Sequence, residues 1–296
     1  MNRAEGPRAG RGARAAVSLV GLSLLVAAGI ALWRQRETLA GSWAALRDPP
    51  TWAVLSLPLA TLASIAIGGL LLKRLFRRRP DLRLDDLLAL NAAATLFNLL
   101  PLKAGLAGRI AWQRSYQAVD VRTSIIVTVA AKALSAGAVA IAAFALWIAS
   151  WTGVEVAGLL LATATLLLVL APMPRVGFVS ELLWWRLLDL GAWSVRVTAA
   201  FAVLGTDLPV ESAVALACVA MASGQIPLFG SALGVREWLV ALVAPSLVGL
   251  QWEEALAAEL LARGFEIAVV AVTGGAGTAW LWKRSLAAVQ HDPRAV

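Results

Sequence analysis

The chain has 296 residues, 60% of them hydrophobic and only 15% charged, with a mean hydropathy of +0.77. Such a balance excludes an ordinary soluble domain and predicts an integral membrane protein. The formal net charge of +8 does not point to nucleic acid, because the basic residues gather at the ends of apolar runs instead of forming a stripe interleaved with aromatics.

In chain order, residues 1–14 read as a basic cytoplasmic tail, 15–282 as a single transmembrane domain and 283–296 as a second cytoplasmic tail. Ala15 to Trp33 is too long for a signal-peptide core and ends in "WRQRE" without a small-residue cleavage site, so it is read as a retained span. A second span covers about Trp52 to Leu72 and is followed by "KRLFRRRPDLR". With Arg3, Arg8, Arg11 and Arg14, this sets the cytoplasmic side by the positive-inside rule. Spans at about Thr123 to Ile148 and Val154 to Ala171 flank an outward "ASWTG", and "PMPRVG" returns to the cytoplasm. A fifth runs from about Leu187 to Leu204, and a last from about Gly264 to Trp282 closes at Lys283 and Arg284. Eight of the thirteen tryptophans, Trp33, Trp52, Trp147, Trp151, Trp184, Trp185, Trp280 and Trp282, fall near these span ends, as an aromatic belt requires.

Two further segments match each other in plan. "DDLLALNAAATLFNLLPLKAGLAGR" (Asp85 to Arg109) and "ESAVALACVAMASGQIPLFGSALGVRE" (Glu211 to Glu237) both open on an acidic residue. Each places a proline sixteen positions later, at Pro101 and Pro227, and continues through glycines to an arginine. A helix of about 15 residues rises only about 22 Å against a hydrocarbon core of about 30 Å. Short, Gly/Pro-interrupted segments in oppositely oriented halves point to a transporter site near the midplane. A full span with a proline kink is the alternative. The predicted fold class is therefore an all-α polytopic membrane protein with about six full spans plus two broken or re-entrant helical segments in an inverted pseudo-repeat. Both termini are cytoplasmic, and the setting is the cell (inner) membrane.

Broken backbone at membrane depth must face an interior cavity, because unsatisfied peptide groups in hydrocarbon cost several kcal/mol each. Pro227 ends one helix, Gly230 and Gly234 permit tight turns, and "VRE" opens the next helix with Arg236 and Glu237 at the cavity entrance. Pro101, Gly105, Gly108 and Arg109 match that plan in the first segment, with Lys103 as a second cation. Lys132 within its span, and Arg263 and Glu266 at the start of the last, are ionisable groups at membrane depth and hence candidate site residues. Asn91 and Asn98 share a helix face and either line the cavity or bond between helices. Bland alternatives stand beside these: an Arg236–Glu237 structural pair, Lys132 bonded to Glu259 or Glu266, and Arg109 as an interface anchor. Asp85 and Asp86 read as a helix N-terminal cap. Arg186, Asp189 and Arg196 form one polar helix face or serve as interface anchors.

These motifs resemble a known family. "FNLLPLKAGLAGR" is similar to an N-x-x-P-x-(R/K)-x-G-x-x-x-R signature, and "IPLFGSALGVRE" with "LLARGFE" to a P-x-x-G-x-x-G-x-x-E with a downstream arginine. Both belong to the lysylphosphatidylglycerol synthase transmembrane-region family of flippase-like proteins. The resemblance implies a lipid-moving module with internal pseudo-symmetry. Its motif residues here would be Asn98, Pro101, Lys103, Gly105, Arg109, Pro227, Gly230, Gly234, Glu237 and Arg263. Leu106 and Ala107 stand where the family often has an acidic residue, which removes a partner for a cationic head group.

The leading expectation is a lipid flippase whose partner is a membrane lipid with a polar head group, held by Asn98, Lys103, Arg109, Lys132, Arg236, Glu237 and Arg263. The excess of cations leans toward a phosphate-bearing head group. Rival readings are a membrane enzyme acting on a lipid head group and a non-transporting partner of a lipid-biosynthesis or cell-envelope complex; a homo-oligomer fits either assembly. Cys218 is the one cysteine and His291 the one histidine, so no disulfide, metal or other cofactor is expected. The chain also carries no Walker motif. As an enzyme it would have only Glu237, Asp85 and Asp86 as acid/base groups, and no catalytic residue is assigned.

Overall fold

A computed structural model of the chain describes residues 47–99, 104–225 and 234–291. The basic tail and first apolar run, together with Pro101, Lys103, Pro227 and Gly230, lie outside the described residues. The described chain is all-helical, in the order α1 (Thr51–Leu75), α2 (Leu84–Phe97), α3 (Ala104–Tyr116), α4 (Val121–Thr152), α5 (Val156–Leu170), α6 (Gly177–Val203), α7 (Val210–Ser223), α8 (Val235–Val248) and α9 (Trp252–His291). Two of these, α1 and α4, are long and apolar enough to cross a membrane.

Local chemistry sets several boundaries. Asp120 starts α4 by accepting the Thr123 amide at 2.9 Å, and Gly153, with φ of 70°, ends it. Two helices extend well beyond their predicted apolar cores. α6 begins ten residues before Leu187 and α9 twelve before Gly264. Charged residues such as Arg186, Glu259 and Arg263 dilute the apolar signal there, yet they lie on helix faces that pack inward. Arg263 and Glu266, expected at the start of the last span, consequently sit well inside α9. The helix also continues through Lys283 and Arg284, where a polar tail was expected.

The interior is built from small side chains, with Ala53, Ala138, Ala142, Ala199, Ala217, Ala241 and Ala255 fully buried among Leu57, Phe201, Leu216 and Leu256. Small residues let helix backbones approach closely, which is how helices associate where no hydrophobic effect separates them from the surroundings. Along α9 the run Gly274–Gly275–Ala276–Gly277 forms a notch for α2: a Cβ on Gly274 would meet the Leu96 Cβ at 2.4 Å, and one on Gly277 the Ala89 carbonyl oxygen at 2.5 Å. Outward faces are conversely apolar, with Leu59 62%, Leu161 70% and Val272 74% exposed.

The two ends of the bundle differ in charge. At one end Arg79 donates to the carbonyls of Gln117 (2.8 Å) and Ala118 (3.1 Å). There too Arg284 pairs with Asp85 and Asp86 (3.6 and 3.3 Å), and Arg74 with Glu181 (2.9 Å). These contacts gather Lys73, Arg74, Arg77, Arg78, Arg79, Arg83, Arg175, Lys283 and Arg284 at one end. Among the described residues, the opposite turns carry Glu155, Asp207, Glu211, Glu253 and Glu254 and, with one exception, no lysine or arginine. Arg47, beside Asp48 ahead of α1, is the exception.

Both broken segments are helical hairpins. α2 starts and α3 finishes at the basic end, where Leu87 and Val119 share one apolar cluster. α3 presses against α2 just after the break, where a Cβ on Gly105 would fall 1.9 Å from the Ala94 carbonyl oxygen. α7 and α8 form the counterpart from the acidic end, with Trp238 of α8 stacked on Trp252 of α9 at 5.8 Å. Gly105 and Gly108 belong to the α3 helix, where a loop was expected. Gly234 matches its expected role, its φ of 100° turning the chain into α8.

Candidate functional site

The broken ends of the two hairpins meet at a cavity of about 400 Å³. Its walls include Asn98, Arg109, Lys132, Arg236, Glu237 and Arg263, which are all the residues predicted to hold the head group that lie within the described chain; Gly105 and Gly234 of the predicted motifs do not line it. Structure divides them into two unlike groups.

The first group surrounds α8. Arg196, Arg236 and Arg263 interleave with Glu237, Glu259 and Glu266: Arg236 lies 2.9 Å from Glu266, 3.4 Å from Glu259 and 3.7 Å from Glu237. Arg263 lies 2.9 Å from Glu266 and 3.5 Å from Glu237, and Arg196 lies 3.3 Å from Glu266. Three positive and three negative groups thus neutralise one another. The Trp193 ring stacks under Arg196 at 3.7 Å and stands 5.2 Å from Arg236, adding cation–π attraction. Glu237 is 1% exposed and accepts the Gly234 amide at 2.8 Å. Its carboxylate therefore satisfies an otherwise orphaned amide at the α8 N-terminus and favours the helix dipole there. Glu237 thus lines the cavity while its carboxylate belongs to this charge network.

The second group lines the α2–α3 break and the facing side of α4. The Arg109 guanidinium Nη2 donates to Thr128 Oγ1, which itself donates to the Ser124 carbonyl at 2.8 Å. Arg109 Nε is buried without a hydrogen-bond partner among the described residues, and so is Asn98 Oδ1. Arg109 is therefore a cavity residue, whereas Arg114 in the last turn of α3 is the one at the basic end. Lys132 reaches the Gly224 carbonyl at 3.4 Å and Gln225 Oε1 at 3.3 Å, at the C-terminus of α7, where the helix dipole favours a cation. Asn91 takes its bonding alternative, donating to the Ile65 carbonyl of α1 at 2.9 Å.

Arg186 and Asp189 pair at 3.0 Å, Ser64 donates to Asp189 at 2.5 Å, and Arg186 reaches the Ala131 carbonyl at 3.2 Å. They are neither interface anchors nor part of the Arg196 network. Across the whole cavity Arg109, Lys132, Arg186, Arg236 and Arg263 face Asp189, Glu237 and Glu266, an excess of two positive charges. Asp85 and Asp86 occupy the first turn of α2, away from this cavity. Arg83 donates to Asp85 at 2.6 Å and holds its carboxyl below the usual range.

Sequence reading missed Trp193, Thr128 and Gln225. Trp193 had a usable signal, since it precedes Arg196 by three residues and so shares its helix face. Thr128 and Gln225 had none, because their partners are brought in by tertiary packing. No family model, curated protein or solved structure matches this chain.

Proposed function

We propose that the chain is a multi-pass membrane transporter of the lipid-flippase type, in which a polar head group enters the central cavity while its tails remain in the bilayer. On this reading the spans are the run at 15–33 with α1, α4, α5, α6 and α9. The hairpins α2–α3 and α7–α8 enter from opposite faces as inverted counterparts. Support comes from the inside-out distribution of polarity, with charge buried and large apolar side chains turned outward. It also comes from the basic and acidic ends, which follow the positive-inside rule with the basic end cytoplasmic. The resemblance to the lysylphosphatidylglycerol synthase transmembrane-region family points the same way.

The observation that carries the reading is the meeting of two broken hairpins at one cation-rich cavity. Irregular backbone at depth is tolerated where it lines a cavity, and paired broken helices mark transporter sites. Arg109 offers a planar donor set suited to a phosphate oxygen, so the head group proposed is anionic.

The test is reconstitution into liposomes containing labelled phosphatidylglycerol, phosphatidylcholine or a lysylated lipid, followed by exposure of the outer leaflet to an impermeant quencher. Phosphatidylglycerol should cross fastest, and Arg109→Gln should slow it about tenfold, the scale of one charge-assisted hydrogen bond. Absence of protein-dependent movement for every lipid, in a sample that unfolds cooperatively, would sink the proposal.

A further inference from the structure

A second cavity, of about 460 Å³, opens at the basic end between the C-terminus of α1 and the turn joining α5 to α6. None of the central site residues lines it. Arg74, Arg77 and Arg175 face one carboxylate there, that of Glu181. Arg74 is engaged with Glu181 at 2.9 Å. The Arg77 guanidinium lies over the Phe178 ring at 3.7 Å, an arrangement that fixes its plane and leaves the in-plane N–H groups available to an oxyanion. Arg175 makes no hydrogen bond or ion pair among the described residues. The rim is apolar: Met173 and Val179 are 47% and 53% exposed.

We infer that this cavity is a binding site for an anionic glycerophospholipid, its phosphodiester held by Arg77 and Arg175 and its glycerol and upper acyl chain lying on Met173 and Val179. Charge selects the class. With Glu181 occupied by Arg74, the pocket has no carboxylate to offer a choline or ethanolamine ammonium, whereas two arginines stand ready for a phosphate. The exposed apolar rim fits an amphiphile better than a soluble phosphate. Basic pockets between helices at the cytoplasmic surface suit anionic head groups in general. The inference rests on the membrane part of the preceding proposal and is independent of transport.

The full chain, purified in detergent, would be titrated with phosphatidylglycerol and separately with phosphatidylcholine, with bound lipid counted by native mass spectrometry. Phosphatidylglycerol should bind preferentially. The double variant Arg77→Gln/Arg175→Gln should bind it about thirty-fold more weakly, taking the usual contribution of a basic residue near an anionic surface for each arginine. Arg122→Gln, an exposed arginine outside the pocket, should leave binding unchanged. Arg175→Gln alone keeps the test decisive if the double variant unfolds, because Arg175 supports no internal contact. Equal binding of both lipids, or undiminished binding by the variants, would overturn the inference. Displacement of the lipid by millimolar glycerol phosphate would assign the pocket to a soluble ligand and overturn the lipid. The readout is occupancy, so a protein that moves no lipid at all would still pass or fail it.

Discussion

The two hairpins occupy equivalent places, yet their breaks are held in different ways. At the α7–α8 break, Glu237 caps the new helix and belongs to a six-membered charge network that neutralises itself. At the α2–α3 break the hold is steric, through the contact of Gly105 with Ala94, and polar capacity is left over at Asn98 and Arg109. Buried polar atoms without a hydrogen bond occur on both sides, at Glu237 Oε1 and Arg236 Nε as well as at Asn98 and Arg109, but in the network opposite charges stand 3.4–3.7 Å from them. One break is thus held by ion pairing and the other by close backbone contact.

The sharpest way to break this comparison is Glu237→Gln. Removing one partner from a buried ion cluster costs about 3–5 kcal/mol, so thermal unfolding of the purified protein should fall by many degrees. A variant of unchanged stability would make Glu237 a ligand residue after all. Gly105→Ala should cost about 1–3 kcal/mol through overpacking against Ala94. Gly108→Ala, with nothing within 4 Å, should be neutral or stabilise by up to about 1 kcal/mol through helix propensity. Equal effects would mean that α3 does not press on α2. Arg109→Gln should change stability by less than about 1 kcal/mol because no carboxylate depends on it; a loss as large as that of Glu237→Gln would erase the distinction between the walls.

The smallest effect concerns pH at the turn that follows the first hairpin. Hydrogen bonding from the Thr123 side chain and then its amide holds the Asp120 carboxyl below its usual range. Its folded value lies below its unfolded one, so its contribution is present at neutral pH and is lost as pH falls from about 4 downward. Asp120→Asn should flatten that part of the acid-stability profile, and an unchanged profile would remove Asp120 as its source.

Much of this arrangement was legible because it rests on short-range physics. The equal spacing from Asp85 to Pro101 and from Glu211 to Pro227 announced two short helices, and α2 and α7 each have 14 residues. α1 and α4 followed directly from uninterrupted apolar composition. Helices bearing buried charge were harder: α6 and α9 were shortened at Leu187 and Gly264 because Arg186, Glu259 and Arg263 interrupt the apolar run, and their partners are brought in only by packing. The division of the site was not legible at all. Glu237 and Arg109 carry similar motif positions, and only the packing of α9 beside α8 shows that Glu237 is ion-paired while Arg109 has no carboxylate beside it among the described residues.

That same α9 has 40 residues, about 60 Å of continuous helix. Glu259, Arg263 and Glu266 fasten the α7–α8 hairpin to its first half, and the notch at Gly274 and Gly277 seats α2 on its second. Both hairpins are mounted on one rod. The close backbone contact at the notch leaves no room between α2 and the rod, so the spacing of the two hairpins is set by a single helix. A bulky side chain at Gly274 would push α2 away from the rod, since even a Cβ there would meet the Leu96 Cβ at 2.4 Å.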